Sequence, residues 1–191
     1  MGVRAVTLSL ILAAPLALLA AQPVKQDGAP ETFRANGQMA GGSGGVASVI
    51  DFTVDKYTSD ADHEALVTAL KGGDYNAFVQ ALRKAPAVGS VKIGNRTVPI
   101  RWARQKPDTY SRRVILVAEG PVFFFGAGAA DAKPTEGYDL AIAEFTVDNS
   151  GLGKGTMAPA ARVKLGGPSG VQIDDYSGKA ITLVTVTRNI R

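Results

Sequence analysis

Apolar and polar residues alternate with period two on both sides of Gly94-Asn95, along Val88 to Arg104 (VGSVKIGNRTVPIRWAR). A two-residue loop that starts with glycine suits a type II′ turn, because glycine accepts the positive φ required there. The pattern predicts a β-hairpin with Ile93 opposite Arg96, Val91 opposite Val98 and Gly89 opposite Ile100. Strand alternation then puts Val91, Ile93, Val98, Ile100 and Trp102 on one apolar face, with Lys92, Thr97 and Arg101 on the other. Pro99 has no backbone donor, which predicts an open edge or a break in pairing along the strand Arg96–Arg104.

The same period recurs elsewhere. Ala47 to Tyr57 (ASVIDFTVDKY) turns Ile50, Phe52 and Val54 to one side and Asp51, Thr53 and Asp55 to the other. Thr32 to Met39 reads as a first strand. Arg113 to Ala118 (RVILVA) is apolar on both faces, as in a strand covered on both sides. Tyr138 to Asp148 alternates with a change of phase near Glu144, which predicts a bulge there. Val122–Phe125, Thr156 to Leu165, Val171–Ile173 and Ile181 to Ile190 complete the strands.

Between Thr58 and Ala85 the period changes to that of a helix. Ser59 or Asp60 caps a first helix with acids in its first turn, and Leu66 and Leu70 stand four apart. Gly72-Gly73 stops it and Asp74 caps a second helix, in which Tyr75, Phe78 and Leu82 form one stripe. Pro86 ends that helix. The pattern as a whole predicts an α+β fold, mainly antiparallel β, a sandwich or a partly open barrel with an inserted helical hairpin.

The N-terminus changes the picture from fold to address. Arg4 precedes an apolar run, Val6 to Leu19, and Ala20-Ala21-Gln22 offers a small-residue cleavage point. That is the pattern of a secretory signal peptide. The run is short for a membrane span, which takes about 20 residues. Residues 1–21 are therefore expected to be signal, 22–31 a flexible linker and 32–191 a single domain. Cleavage after Ala21 leaves 170 residues and lowers the formal charge from +4 to +3. The expected destination is the bacterial periplasm or the medium, with no transmembrane segment in the mature chain. There is no cysteine, so an oxidising compartment brings no disulfide and the domain must hold by burial.

Candidate chemistry is sparse. His63, the only histidine, lies among Asp60, Asp62 and Glu64. It offers a general base or a metal ligand, but the setting fits an ordinary solvated helix position better. Gly151 to Thr156 (GLGKGT) lacks the spacing of a phosphate loop, and Gly126-Ala127-Gly128 fails likewise. Asp174-Asp175 offers oxygens to Ca²⁺ or carboxylates to a hydrolase, without the spacing of a known calcium loop. Phe123-Phe124-Phe125 reads as a strand buried on both sides or as the wall of a pocket. No catalytic residue, metal site or cofactor is predicted.

The candidate ligand site is the basic group Arg96, Arg101, Arg104, Arg112 and Arg113 with Trp102 among them. Forked guanidinium contacts to an anionic glycan or a lipid headgroup would suit it, though exposed cations also protect an open edge. Substitution of Arg101 or Arg104 is then expected to cost little stability. Nucleic acid is not expected at this charge without a reader motif.

The stretches ALVTALKGGDYNAFVQALRKAPAVG, VPIRWARQ, GPVFFFG and GVQIDDYSGKAITLVTV resemble exported bacterial proteins that are themselves uncharacterised. The resemblance implies no activity and no site residue. The leading expectation is a non-enzymatic exported domain, monomer or weak dimer, that binds a ligand or an envelope component. The alternatives are an envelope-polymer hydrolase working through carboxylates and an assembly protein pairing through an edge strand.

Overall fold

The computed structural model describes residues 28–39, 46–122, 136–166, 170–177 and 179–190. The residues expected to form the signal and most of those expected to form the linker, together with Phe123–Phe125, lie outside them. The elements in chain order are β1 (Glu31–Met39), β2 (Val46–Val54), α1 (Asp60–Lys71), α2 (Tyr75–Lys84), β3 (Gly89–Ile93), β4 (Arg96–Pro107), β5 (Ser111–Ala118), β6 (Leu140–Asp148), β7 (Leu152–Leu165), β8 (Val171–Tyr176) and β9 (Ile181–Ile190).

All pairings are antiparallel. β1 to β7 pair in sequence, β9 pairs with β7, and β9 returns to β1, so eight strands close a barrel. β8 lies outside this ring as a flap on β7. The architecture is thus neither a sandwich nor an open barrel. Closure needs strands that bend, and the bends are visible. The register shifts at Ile100/Trp102 on β4, at Asn36/Gly37 between β1 and β9, and along β7. At Gly155 an added Cβ would lie 2.2 Å from the carbonyl oxygen of Glu144, so β7 crosses β6 where only glycine fits.

The β3–β4 hairpin has the predicted register, Ile93 with Arg96 and Val91 with Val98. Pro99 stays paired with Ser90 of β3 and marks a break in pairing on the β5 side, as expected: β5 ends at Ala118 opposite Ile100, and Pro99 accepts from the Glu119 backbone N–H at 3.1 Å. β4 pairs with β3 from Arg96 to Ile100 and with β5 from Ile100 to Pro107, while β8 pairs with β7 alone and lies at one end of the strand order.

Two apolar clusters follow from the closure. Inside the barrel pack Phe33, Ile50, Phe52, Ile93, Leu116, Phe145, Met157 and Leu183, among others. Phe33 meets Phe145 edge-on with ring centroids 4.9 Å apart. Outside, the helical hairpin presses Leu66, Leu70, Phe78, Val79 and Leu82 onto Trp102, Ile115, Val117, Leu140 and Ile142 of β4 to β6. Helix caps are as the sequence foretells. Ser59 accepts from the Asp62 N–H, and Asp74 from those of Asn76 and Ala77.

The two-sided burial corrects two expectations. Trp102 does not share a face with Ile100. The bulge at Arg101 shifts the phase, so Ile100 and Ala103 point into the barrel while Trp102 points out beneath α1. β6 has no bulge at Glu144, because its pairing with β5 is continuous from Asp148 to Ala141. Leu140 and Ile142 are apolar on the outer face because the helices cover them, and this coverage imitates a change of phase.

Candidate functional site

The basic residues of the candidate site are not brought together on one surface. Arg112 points into one end of the barrel. Arg113 points out and pairs with Glu144 at 3.2 Å. Arg101 pairs with Glu119 at 2.5 Å and donates to the Ala85 carbonyl. Arg104, whose side chain is 13% exposed, pairs with Asp60 at 2.8 Å and donates to the Thr58 carbonyl. Arg96 is exposed beside the β3–β4 turn. Trp102 is 2% exposed. Because Arg101 and Arg104 tie β4 to the helical hairpin and its flanks, they are structural ties, not edge cations. Their reversal would cost more than the sequence suggested.

One end of the barrel interior is polar. Glu31, the first residue of β1 and not part of the linker, has the same inward parity as Phe33 and Ala35 and is fully buried. Its carboxylate accepts from Arg112 Nη2 at 2.5 Å, Arg112 Nη1 at 2.9 Å, Arg188 Nε at 2.6 Å and the Tyr57 hydroxyl at 2.6 Å. Gln105 accepts from Arg112 Nη1 at 2.5 Å. Burial alone pushes the Glu31 carboxyl up, but the Arg112, Tyr57 and Arg188 bonds outweigh it and hold it below its ordinary value. Burial and the Glu31 charge raise the Tyr57 hydroxyl. The cluster is saturated with hydrogen bonds, and among the described residues no buried polar side-chain atom lacks a partner. Its chemistry is that of a plug. No local pattern signals it, since its members are 157 residues apart at the extreme.

Beneath α1, the Trp102 indole N–H donates to His63 Nδ1 at 3.3 Å, and the rings stack with centroids 5.7 Å apart. Accepting at Nδ1 requires that nitrogen to be unprotonated, so the neutral ring carries its proton on Nε2. Burial and the nearby Arg104 hold His63 below its ordinary 6.5, against the pull of Asp60 and Glu64. Among the described residues no group of three or more acids and histidines is placed to hold a metal ion. Asp174 pairs with Lys164 at 3.0 Å, and Asp175 accepts from the Tyr138 hydroxyl at 2.6 Å.

A cleft of about 700 Å³ opens at the rim, where the α1–α2 turn meets the approach to β6. Gly73 to Asn76 form one wall, Glu136, Gly137 and Asp139 another, and Arg162 of β7 lies between them. The Arg162 guanidinium lies over the Tyr75 ring, 4.8 Å from its centroid. The Gly137 backbone also comes close, so that a Cβ there would sit 3.4 Å from Nη1. The Tyr75 hydroxyl donates to the Ala161 carbonyl, and burial with the Asp139 charge pushes its pKa up to about 12.

Compared with protein-family models, with curated proteins and with solved structures, the chain shows no match.

Proposed function

We propose that the chain is a non-enzymatic exported domain, freed of its signal after Ala21, that binds a small ligand at the barrel rim. The observation that carries this reading is the filled barrel. Apolar side chains pack its interior, and the Glu31 cluster seals one end. A ligand of drug size needs a concave site of several hundred Å³, and the cleft around Arg162 supplies one on the outside of the barrel.

An anionic glycan or headgroup at the hairpin arginines would have to displace the carboxylates of Glu31, Asp60, Glu119 and Glu144. The rim cleft requires no such exchange. Among the described residues no helix is long and apolar enough to cross a membrane.

Native mass spectrometry of protein exported by a bacterial host tests the proposal. The expected species is the chain shortened by residues 1–21 with a small additional mass that is lost under activation. Purified protein that turns over an envelope polymer, with the activity lost on one polar substitution, would overturn it.

A further inference from the structure

We infer that the rim cleft recognises a small zwitterion, a free amino acid or a short unblocked peptide, through its carboxylate on Arg162 and its ammonium on the surrounding acids. The inference rests on the binding-domain reading and names the ligand class of that site.

Arg162 stands apart in how it is held. Arg34, Arg83, Arg101, Arg104, Arg112, Arg113 and Arg188 each lie within 4.0 Å of a carboxylate. Among the described residues Arg162 has no such ion pair. Its guanidinium carbon lies over the Tyr75 ring, and the Gly137 backbone comes close to its Nη1. A guanidinium packed over a ring can still present N–H groups to a planar, forked acceptor. Gly137 has φ +84°, a conformation that favours glycine, and it lets the backbone approach this closely. This packing of Arg162 is built into the fold.

The other charged residues of the lining are acidic. Asp74, Glu136 and Asp139 face the same space. Asp74 uses one oxygen as the α2 cap, and among the described residues the ion pair of Asp139 is a loose contact with Arg83, at 3.7 Å. Both keep lone pairs for another donor, and Glu136 is exposed. A simple anion would meet these three carboxylates, and a simple cation would leave the forked edge of Arg162 unused. A molecule bearing both charges satisfies both halves.

The test is calorimetric titration of the full mature chain with alanine, alanyl-alanine, N-acetyl-alanyl-alanine and alanyl-alanine amide. Saturable binding of alanine or alanyl-alanine is expected, and the tighter of the two identifies the free amino acid or the peptide as the source. Each blocked form should bind about 10- to 100-fold more weakly, the worth of one charge-assisted contact. Arg162→Gln should abolish binding and Glu136→Gln should weaken it, with circular dichroism unchanged. Arg162→Lys keeps the charge but lacks the fork, and it should also bind weakly.

Equal affinity for blocked and unblocked forms, or binding untouched by either Arg162 variant, would overturn the inference. So would the absence of saturable binding up to about 10 mM. A retained mass in native spectrometry alongside such a failure would overturn this inference and leave the binding function standing. Failure of both would remove both.

Discussion

The indole N–H of Trp102 donates to Nδ1 of His63 across 3.3 Å, and this joins the only tryptophan of the chain to its only histidine. The contact exists because the bulge at Arg101 turns Trp102 out of the barrel and α1 lays His63 over it. It gives the docking of the helical hairpin its own optical probe. A protonated imidazole stacked on an indole quenches its emission by accepting an electron. Tryptophan fluorescence should therefore fall on acidification with a midpoint below 6.5, and His63→Gln should remove the transition. Emission that stays flat with pH would contradict the contact.

The same group sets a stability window. The folded state holds His63 below its ordinary 6.5, so the unfolded chain takes up a proton first as pH falls. Stability should decline with falling pH from about 6.5 down to the lower folded value, and then level off. Urea midpoints measured across this range for wild type and His63→Gln would separate this contribution from others.

Glu31 contributes at lower pH. Its carboxyl is held below the ordinary 4.5, so its contribution is complete above that value and is lost as pH falls through the folded value. Glu31→Gln removes the charge while leaving Arg112 and Arg188 in place, and it should cost about 3–5 kcal/mol by chemical denaturation. Replacing Glu31 by leucine together with Arg112 and Arg188 by methionine and Tyr57 by phenylalanine should recover much of that loss, since apolar substitutes for a whole buried ionic group are often neutral.

How far the sequence could be read divides along the range of the contacts involved. The β3–β4 register, the Ser59 and Asp74 caps and the Gly72-Gly73 break are local, and period and turn chemistry locate them. Closure of the barrel depends on β1 meeting β9, which no local pattern records. The bulge at Arg101 is set by the pairing of β4 with β5, so simple alternation put Trp102 on the wrong face. Apolar residues on both faces of β6 reflect the helices above it, and alternation alone misreads them. Arg112 and Arg104 looked like one basic surface because charge along a sequence carries no sign of inward or outward parity. Arg162 gave no signal, because its ring and its glycine lie far from it in the chain.

Trp102→Ala should cost about 3–5 kcal/mol. The loss should fall first on the helical hairpin, because Trp102 packs under α1 and not in the barrel interior. Hydrogen exchange should rise across residues 60–84 before it rises in β1 or β9. Uniform acceleration over all strands would contradict this placement.

Arg104→Glu would set a carboxylate against Asp60 and remove the bond to the Thr58 carbonyl. It should destabilise by about 1–3 kcal/mol, whereas Lys92→Glu on the exposed wall should stay within about 0.5 kcal/mol. Thermal melts of the two variants, run side by side, check the distinction.

The most direct test of the central claim is a comparison of melting temperatures. Protein taken gently from the exporting host is compared with the same protein stripped by unfolding, dialysis and refolding. A ligand bound only to the native state raises the melting temperature. The account predicts that the exported form melts higher and that the dialysed small-molecule fraction restores the difference. Identical melting of the two forms, unchanged by that fraction, would contradict a binding function.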